Sequence, residues 1–151
     1  MYFDGNRMHI IDESTGSGVY NTKGYSGRAN NDGSFSYTSD RFDDSNTGPI
    51  PPGDYYIKVN EIQTISGRDK ALGLVGRGGW PGGTDAWGSQ RAWIYAMPGT
   101  NTYGRGGFSI HGGAVPGSAG CIDLTGNVNV FFNRLQGAAG SQNQVLLRVR
   151  Y

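Results

Sequence analysis

The chain has one cysteine and two histidines, and it sets Cys121 ten residues after His111 in the stretch "FSIHGGAVPGSAGCIDL" (108–124). A free thiol with a pKa of about 8.5 is only a few per cent thiolate at neutral pH, and the thiolate is the nucleophile. A histidine within hydrogen-bond reach removes the thiol proton, and as an imidazolium it lowers the thiol pKa further. If the two ends of the stretch are strands, Phe108 and Ile110 point one way and Ser109 and His111 the other. In the same sense Ile122 and Leu124 oppose Cys121 and Asp123. With the apolar sets turned to the core, His111 and Cys121 both face away from it. A lone cysteine is otherwise most often a small buried hydrophobe, and that role would put it on the Ile122 side.

Between the two, Gly112, Gly113, Gly117 and Gly120 permit positive φ, and Pro116 stiffens the turn. Glycine just before a nucleophile also leaves room for a substrate carbonyl. The N–H groups of Gly120 and Cys121 are candidates for an oxyanion hole. A zinc site needs three or four ligands, and one cysteine with two unpaired histidines does not supply them, so no metal or other cofactor is expected. Glycosidase chemistry needs two opposed carboxyls. Asp43 and Asp44 are adjacent in a polar segment and read as a solvated turn.

Composition narrows the class. With 151 residues, 36% of them hydrophobic, the chain can bury a core as one domain spanning 1–151. Glycine is 27 of 151, about 18% against roughly 7% in ordinary proteins, and without a collagen period this implies many tight turns. Lys+Arg 13 against Asp+Glu 12 leaves a net charge of +1 with no basic cluster, which argues against a nucleic-acid partner. A single cysteine excludes an internal disulfide. The opening "MYFDGNRMHIID" lacks the cationic start and apolar core of a signal peptide, so no classical export signal is expected, nor any apolar run long enough for a spanning helix.

Strand periodicity dominates the chain. Tyr55, Ile57 and Val59 share one face of "YYIKVN", and Val145, Leu147, Val149 and Tyr151 share one face of "VLLRVRY". "RMHIID" and "GVYNTKGYS" flank a Gly/Ser/Thr turn and read as a hairpin, with His9 a structural residue on its first strand. Only "TGNVNVFFNRLQG" has helical spacing, with Val128, Phe131, Phe132 and Leu135 on one face, Thr125 or Asn127 as cap and Gly137 past the end. Two polar Gly-rich stretches, 28–48 and 76–88, read as long loops. The expected fold is mainly β, with one short helix after the cysteine.

The cysteine stretch resembles the catalytic motif of L,D-transpeptidases of the YkuD type, in which a histidine precedes a Ser-His-Gly-Cys signature. "IHGG…SAGCIDL" fits with His111 as base and Cys121 as nucleophile, and "GPIPPGDYYI" resembles the family's Gly/Pro-rich entry to a strand. Two positions depart from the pattern. Ala119 stands where the family has a second histidine, and Asp123 stands where it has a basic or amide residue, an anion that would repel a peptide carboxylate. "GSAGCIDL", "GRGGFSIHGG" and "WGSQR" are more similar to a branch of type VI secretion effectors with L,D-carboxypeptidase and L,D-transpeptidase exchange activity.

That resemblance implies an L,D-transpeptidase-like β-sandwich or barrel. It also implies peptidoglycan tetrapeptide stems and D-amino acids as substrates, delivery by a secretion-system carrier to the target-cell periplasm, and a cognate immunity protein. Gly112, Gly113, Ser118 and Asp123 become candidates for supporting the loop, a carbonyl of Gly112 or Gly113 for orienting the imidazole. Arg105 and Arg91 become candidates for substrate carboxylates, with Trp87 as an apolar wall; Tyr25, Arg28 and Trp80 could line the same groove. Two other classes remain open from the residues alone. One is a papain-like cell-wall peptidase or amidase, whose nucleophile normally comes before its histidine. The other is a glycan-binding β module.

Overall fold

The computed structural model describes residues 1–151. Ten strands follow in the order β1 (Tyr2–Phe3), β2 (Arg7–Ile11), β3 (Gly18–Lys23), β4 (Tyr25–Ser26), β5 (Gly53–Lys58), β6 (Gln63–Thr64), β7 (Gln90–Ala96), β8 (Ser109–His111), β9 (Ile122–Asp123) and β10 (Gln144–Val149). Helices α1 (Gly67–Leu74) and α2 (Gly83–Trp87) lie between β6 and β7, and α3 (Val128–Ala139) lies between β9 and β10.

The strands hydrogen-bond in the order β3-β2-β1-β10-β5-β7-β8-β9-β4, with β6 added to β7. The first and last of that order, β3 and β4, are consecutive in sequence with only Gly24 between them. The sheet therefore curls back on itself into a nearly closed barrel. Mainly β is thus the fold, and the hairpin expected near the start is the antiparallel β2–β3 pair. No helix is long and apolar enough to cross a membrane.

One apolar cluster fills the barrel: Phe3, Met8, Ile10, Tyr55, Ile57, Ala92, Ile94, Ile110, Ile122, Leu147 and Val149 come from the strands. Val128, Phe131, Phe132 and Leu135 of α3 complete it. The helical spacing places these four on one face, as their burial confirms. The helix nevertheless runs past Gly137 to Ala139, which is buried, and ends at Gly140 with φ +56. A glycine inside a helix costs only about 1 kcal/mol, and the buried last turn outweighs it. Asn127 precedes the helix without a side-chain cap bond, and Thr125 lies in a preceding 3₁₀ turn.

The stretch 76–88 is not one loop. α2 occupies its second half, and α1 precedes it with a capping box: Ser66 Oγ accepts from the Asp69 N–H at 3.1 Å and Asp69 accepts from the Ser66 N–H at 3.3 Å. These two helices form a flap over the outer face of β7 and β8, so the structure has three short helices where the sequence pattern implies one.

Candidate active site

Strand alternation sets up the site. Arg91 pairs with His111, and Trp93 with Ser109, across the antiparallel β7–β8 ladder, so all four side chains share the face away from the core. Ala92, Ile110 and Ile122 point the other way into the barrel. β9 lies parallel to β8 on its far side, His111 opposite Asp123, and Cys121 sits just before β9. Cys121 is half-buried, while His111 is only 4% exposed.

The imidazole is oriented by its own loop. His111 Nδ1 lies 2.5 Å from the Gly112 carbonyl and donates to it, which leaves Nε2 as the nitrogen able to take a proton from sulfur. Trp87 flanks the ring at 5.2 Å between centroids. Burial alone would push the Cys121 thiol up; the hydrogen bond and positive charge of His111, with Ser109, outweigh it and hold the thiol below its ordinary value. Ser109 Oγ donates to Sγ at 3.3 Å. Burial likewise disfavours the imidazolium, but the hydrogen bond and charge of Cys121, the Gly112 carbonyl and Asp123 raise His111 above its usual value. Opposite shifts of two adjacent groups are what a thiolate–imidazolium pair requires.

The glycine-rich loop is held by backbone and hydroxyl contacts. Ser118 Oγ donates to the Cys121 carbonyl at 2.6 Å and its N–H to the Gly27 carbonyl at 2.9 Å. Ser26, buried just before Gly27, donates to the Gly120 carbonyl at 3.4 Å. Beyond His111, the N–H groups of Gly112 and Ala114 bond the Trp87 and Asp85 carbonyls of α2 at 3.0 and 2.8 Å. A Cβ at Gly112 would lie 2.4 Å from the Thr125 carbonyl, so only glycine lets the chain pass there. Gly120 has φ +100, and a Cβ there would meet Arg105 Nη2 at 2.4 Å. The N–H groups of Gly120 and Cys121 have no partner within the protein.

Asp123 shares the His111 face but is covered by the glycine-rich loop. It is 1% exposed, and its two oxygens accept from the N–H groups of Thr125 at 2.7 Å and Gly117 at 3.2 Å. Those two donors offset the charge of an anion at this position, and burial raises the carboxyl pKa above the usual range. Arg105, too, is spent internally: its guanidinium donates to the carbonyls of Phe42 (2.8 Å), Pro49 (2.7 Å) and Gly48 (2.9 Å). Arg91 bonds Gln63 Oε1 at 2.7 Å and the Gly79 carbonyl at 2.8 Å and lies among Trp80, Trp87 and Trp93.

The sequence matches the Tlde1 domain over residues 21–147. The chain belongs to the Tlde1 domain family. This is a family of type VI secretion effectors, so the effector half of the resemblance stands on its own evidence. No curated protein matches the chain. Among solved structures the fold is similar to that of Bdellovibrio bacteriovorus Bd1075, at 12% identity and a TM-score of 0.55. The alignment covers 97% of this chain and 45% of that one, so this Tlde1 domain spans under half of that protein's length.

Within this Tlde1 domain the residues singled out from the sequence divide by position. Cys121, His111, Gly112, Gly120, Ser118 and Trp87 come together. Arg28 lines a hollow of about 390 Å³ against residues 115–119, immediately beside the nucleophile loop. Tyr25 is the cross-strand partner of Asp123 and packs on Phe35, which lies against Gly117 of that loop. His9 bonds Asp4 at 2.9 Å and stacks on Tyr2, far along the sheet order. Sequence reasoning assigned no role to Ser109 or Ser26. Ser109 shares the His111 face by simple alternation, which is the signal that could have found it; Ser26 is 94 residues from the carbonyl it bonds and left none.

Proposed function

We propose that this Tlde1 domain is a cysteine-dependent peptidoglycan-modifying enzyme, an L,D-carboxypeptidase with L,D-transpeptidase exchange activity on tetrapeptide stems. The observation that carries the reading is the Cys121–His111 pair: a lowered thiol beside an imidazole whose Nδ1 is committed to a backbone carbonyl, leaving Nε2 for proton transfer.

The Cys121 thiolate attacks the carbonyl at the L-centre of the diaminopimelate residue, and the developing oxyanion accepts from the free N–H groups of Gly120 and Cys121. Collapse of the tetrahedral species breaks the bond to the terminal D-Ala. His111, now an imidazolium, gives its proton to the leaving amine and the acyl group stays on sulfur as a thioester. Neutral His111 then takes a proton from the second nucleophile. Water yields the shortened stem, and a D-amino acid yields the exchanged one. Ser109 steadies the thiolate, Ser118 and Asp123 hold the loop in which it sits, and Gly113 lets the chain pass close to the Asp85 and Ala86 carbonyls. As an effector acting on wall chemistry its producer shares, the domain requires an immunity protein that covers this face. A secretion-system carrier delivers it to the target periplasm.

Incubation with purified disaccharide tetrapeptide, followed by mass spectrometry, tests the reading. The expected result is loss of one alanine residue by the wild type and no loss by Cys121→Ala or His111→Ala. Cleavage within the stem would favour a papain-like peptidase. Periplasmic toxicity that survives Cys121→Ala would favour a binding module.

A further inference from the structure

All three tryptophans of the chain converge on one guanidinium. Arg91 Cζ lies 4.1 Å from the Trp80 ring centre, 4.7 Å from Trp93 and 5.0 Å from Trp87. The residue is only 7% exposed, and two of its three nitrogens are occupied, Nε by Gln63 and Nη1 by the Gly79 carbonyl. Nη2 has no partner and is not sealed from solvent. No carboxylate of the chain forms an ion pair with Arg91.

A desolvated charge with open donors is costly unless something accepts from it. The indole faces hold the cation in place by attraction to their π clouds and strip most of its water. What remains is one edge of a fixed, planar, positively charged fork, which suits a carboxylate. Its location selects which carboxylate. Arg91 is the cross-strand partner of His111 and shares its face, at the roughly 5 Å spacing of such pairs. The leaving amine takes its proton from His111. In a C-terminal amino acid the α-carboxylate is joined to that same amine through one carbon.

We infer that Arg91 and its tryptophan cage form the subsite for the free α-carboxylate of the terminal amino acid. This rests on the reading of Cys121 and His111 as nucleophile and base, and it extends that reading to specificity. The subsite makes the enzyme act only at a free C-terminus. In exchange, the same edge receives the carboxylate of the incoming amino acid and directs its amine at the thioester. Arg91 also ties Gly79 of the flap to the sheet, so the cage is complete only with the flap in place.

The test compares a tetrapeptide stem ending in D-Ala with the same stem ending in D-alaninamide, using wild type, Arg91→Lys and Arg91→Gln. For the wild type, kcat/KM is expected to favour the acid by about 10- to 100-fold, the worth of a charge-assisted hydrogen bond converted to a rate ratio. In both variants that ratio falls to near one. Loss of acid and amide turnover by the same factor would overturn the subsite and leave Arg91 a flap anchor. A wild type indifferent to the C-terminal charge would overturn it too. A binding arm separates this from failure of the catalytic reading: Cys121→Ala, which cannot turn over, is titrated calorimetrically with both stems. It should prefer the acid, and Cys121→Ala/Arg91→Lys should not. Equal binding of acid and amide by Cys121→Ala sinks the subsite whatever the chemistry does. An acid preference in a protein that releases no alanine sinks the proposed reaction alone.

Discussion

Arg105 and Arg91 flank the nucleophile loop and use the same side chain in opposite ways. Arg105 lies behind Gly120 and gives its Nη1 and Nη2 donors to three carbonyls of the 42–49 segment, which has no strand of its own to satisfy them. Arg91 lies beside His111, on a strand whose backbone is already paired, and keeps Nη2 open among aromatic rings. Both are partly desolvated, and burial lowers the pKa of each below the ordinary arginine value. The difference teaches that a desolvated arginine can present its charge to a ligand only where a terminal nitrogen is left open. Where backbone carbonyls take both terminal nitrogens, as in Arg105, the side chain pins the fold.

The contrast can be broken or sharpened by substitution. The largest effect belongs to the chemistry between the two arginines: His111→Ala is expected to lower turnover by about 10²- to 10⁴-fold, the usual range for a lost general base, measured as alanine release per enzyme. Next comes Arg105→Ala. It is expected to cost at least the roughly 1.5–3 kcal/mol of one charge-assisted hydrogen bond in urea unfolding, while folded protein keeps its preference for an acid over an amide terminus. An Arg105 variant that loses that preference would erase the distinction between pinning and presenting.

Asp123→Asn follows, because it replaces one oxygen acceptor by an N–H₂ that meets a backbone N–H. A loss of about 1–3 kcal/mol is expected from the unsatisfied donor. The pH dependence has a definite sign. Burial raises Asp123 in the folded state, so its contribution to stability is fully present below the unfolded carboxyl value and declines as pH rises through the folded value. The asparagine variant lacks that decline. Wild-type stability relative to the variant should therefore fall from pH 4 toward pH 7, by no more than about 1.4 kcal/mol per pH unit. The smallest effect is at Ser109→Ala, where loss of one hydroxyl donor to sulfur is expected to slow Cys121 alkylation at pH 7 by roughly 3- to 10-fold.

Legibility in the sequence followed the range of the interaction. The β2–β3 hairpin, the alternation of Tyr55 and Ile57, the helical face of Phe131 and Phe132, and the placement of Cys121 beside His111 are all local patterns. They depend on neighbours two to four residues apart or on one short loop. α1 was hidden because its apolar residues follow no face, though the Ser66–Asp69 capping box marks its start. The fates of Arg91 and Arg105 had no local signal at all. "GSQRAW" and "YGRGGF" look equally able to present a cation, and only the chain's long-range register puts Gly48 behind one and Trp80 over the other. Asp123 belongs with them: its charge and its face are visible in sequence, but the two N–H groups that satisfy it come from the loop geometry.

The most direct test of an activated nucleophile is the pH dependence of Cys121 carbamidomethylation by iodoacetamide, followed by intact mass in wild type and His111→Ala. The wild-type midpoint should lie clearly below the value of about 8.5 of a free thiol, and removing the imidazole should move it to that value or above, because burial then acts alone. A wild-type midpoint at or above that of a free thiol, unmoved by His111→Ala, would contradict the pairing of sulfur and imidazole on which the whole mechanism stands.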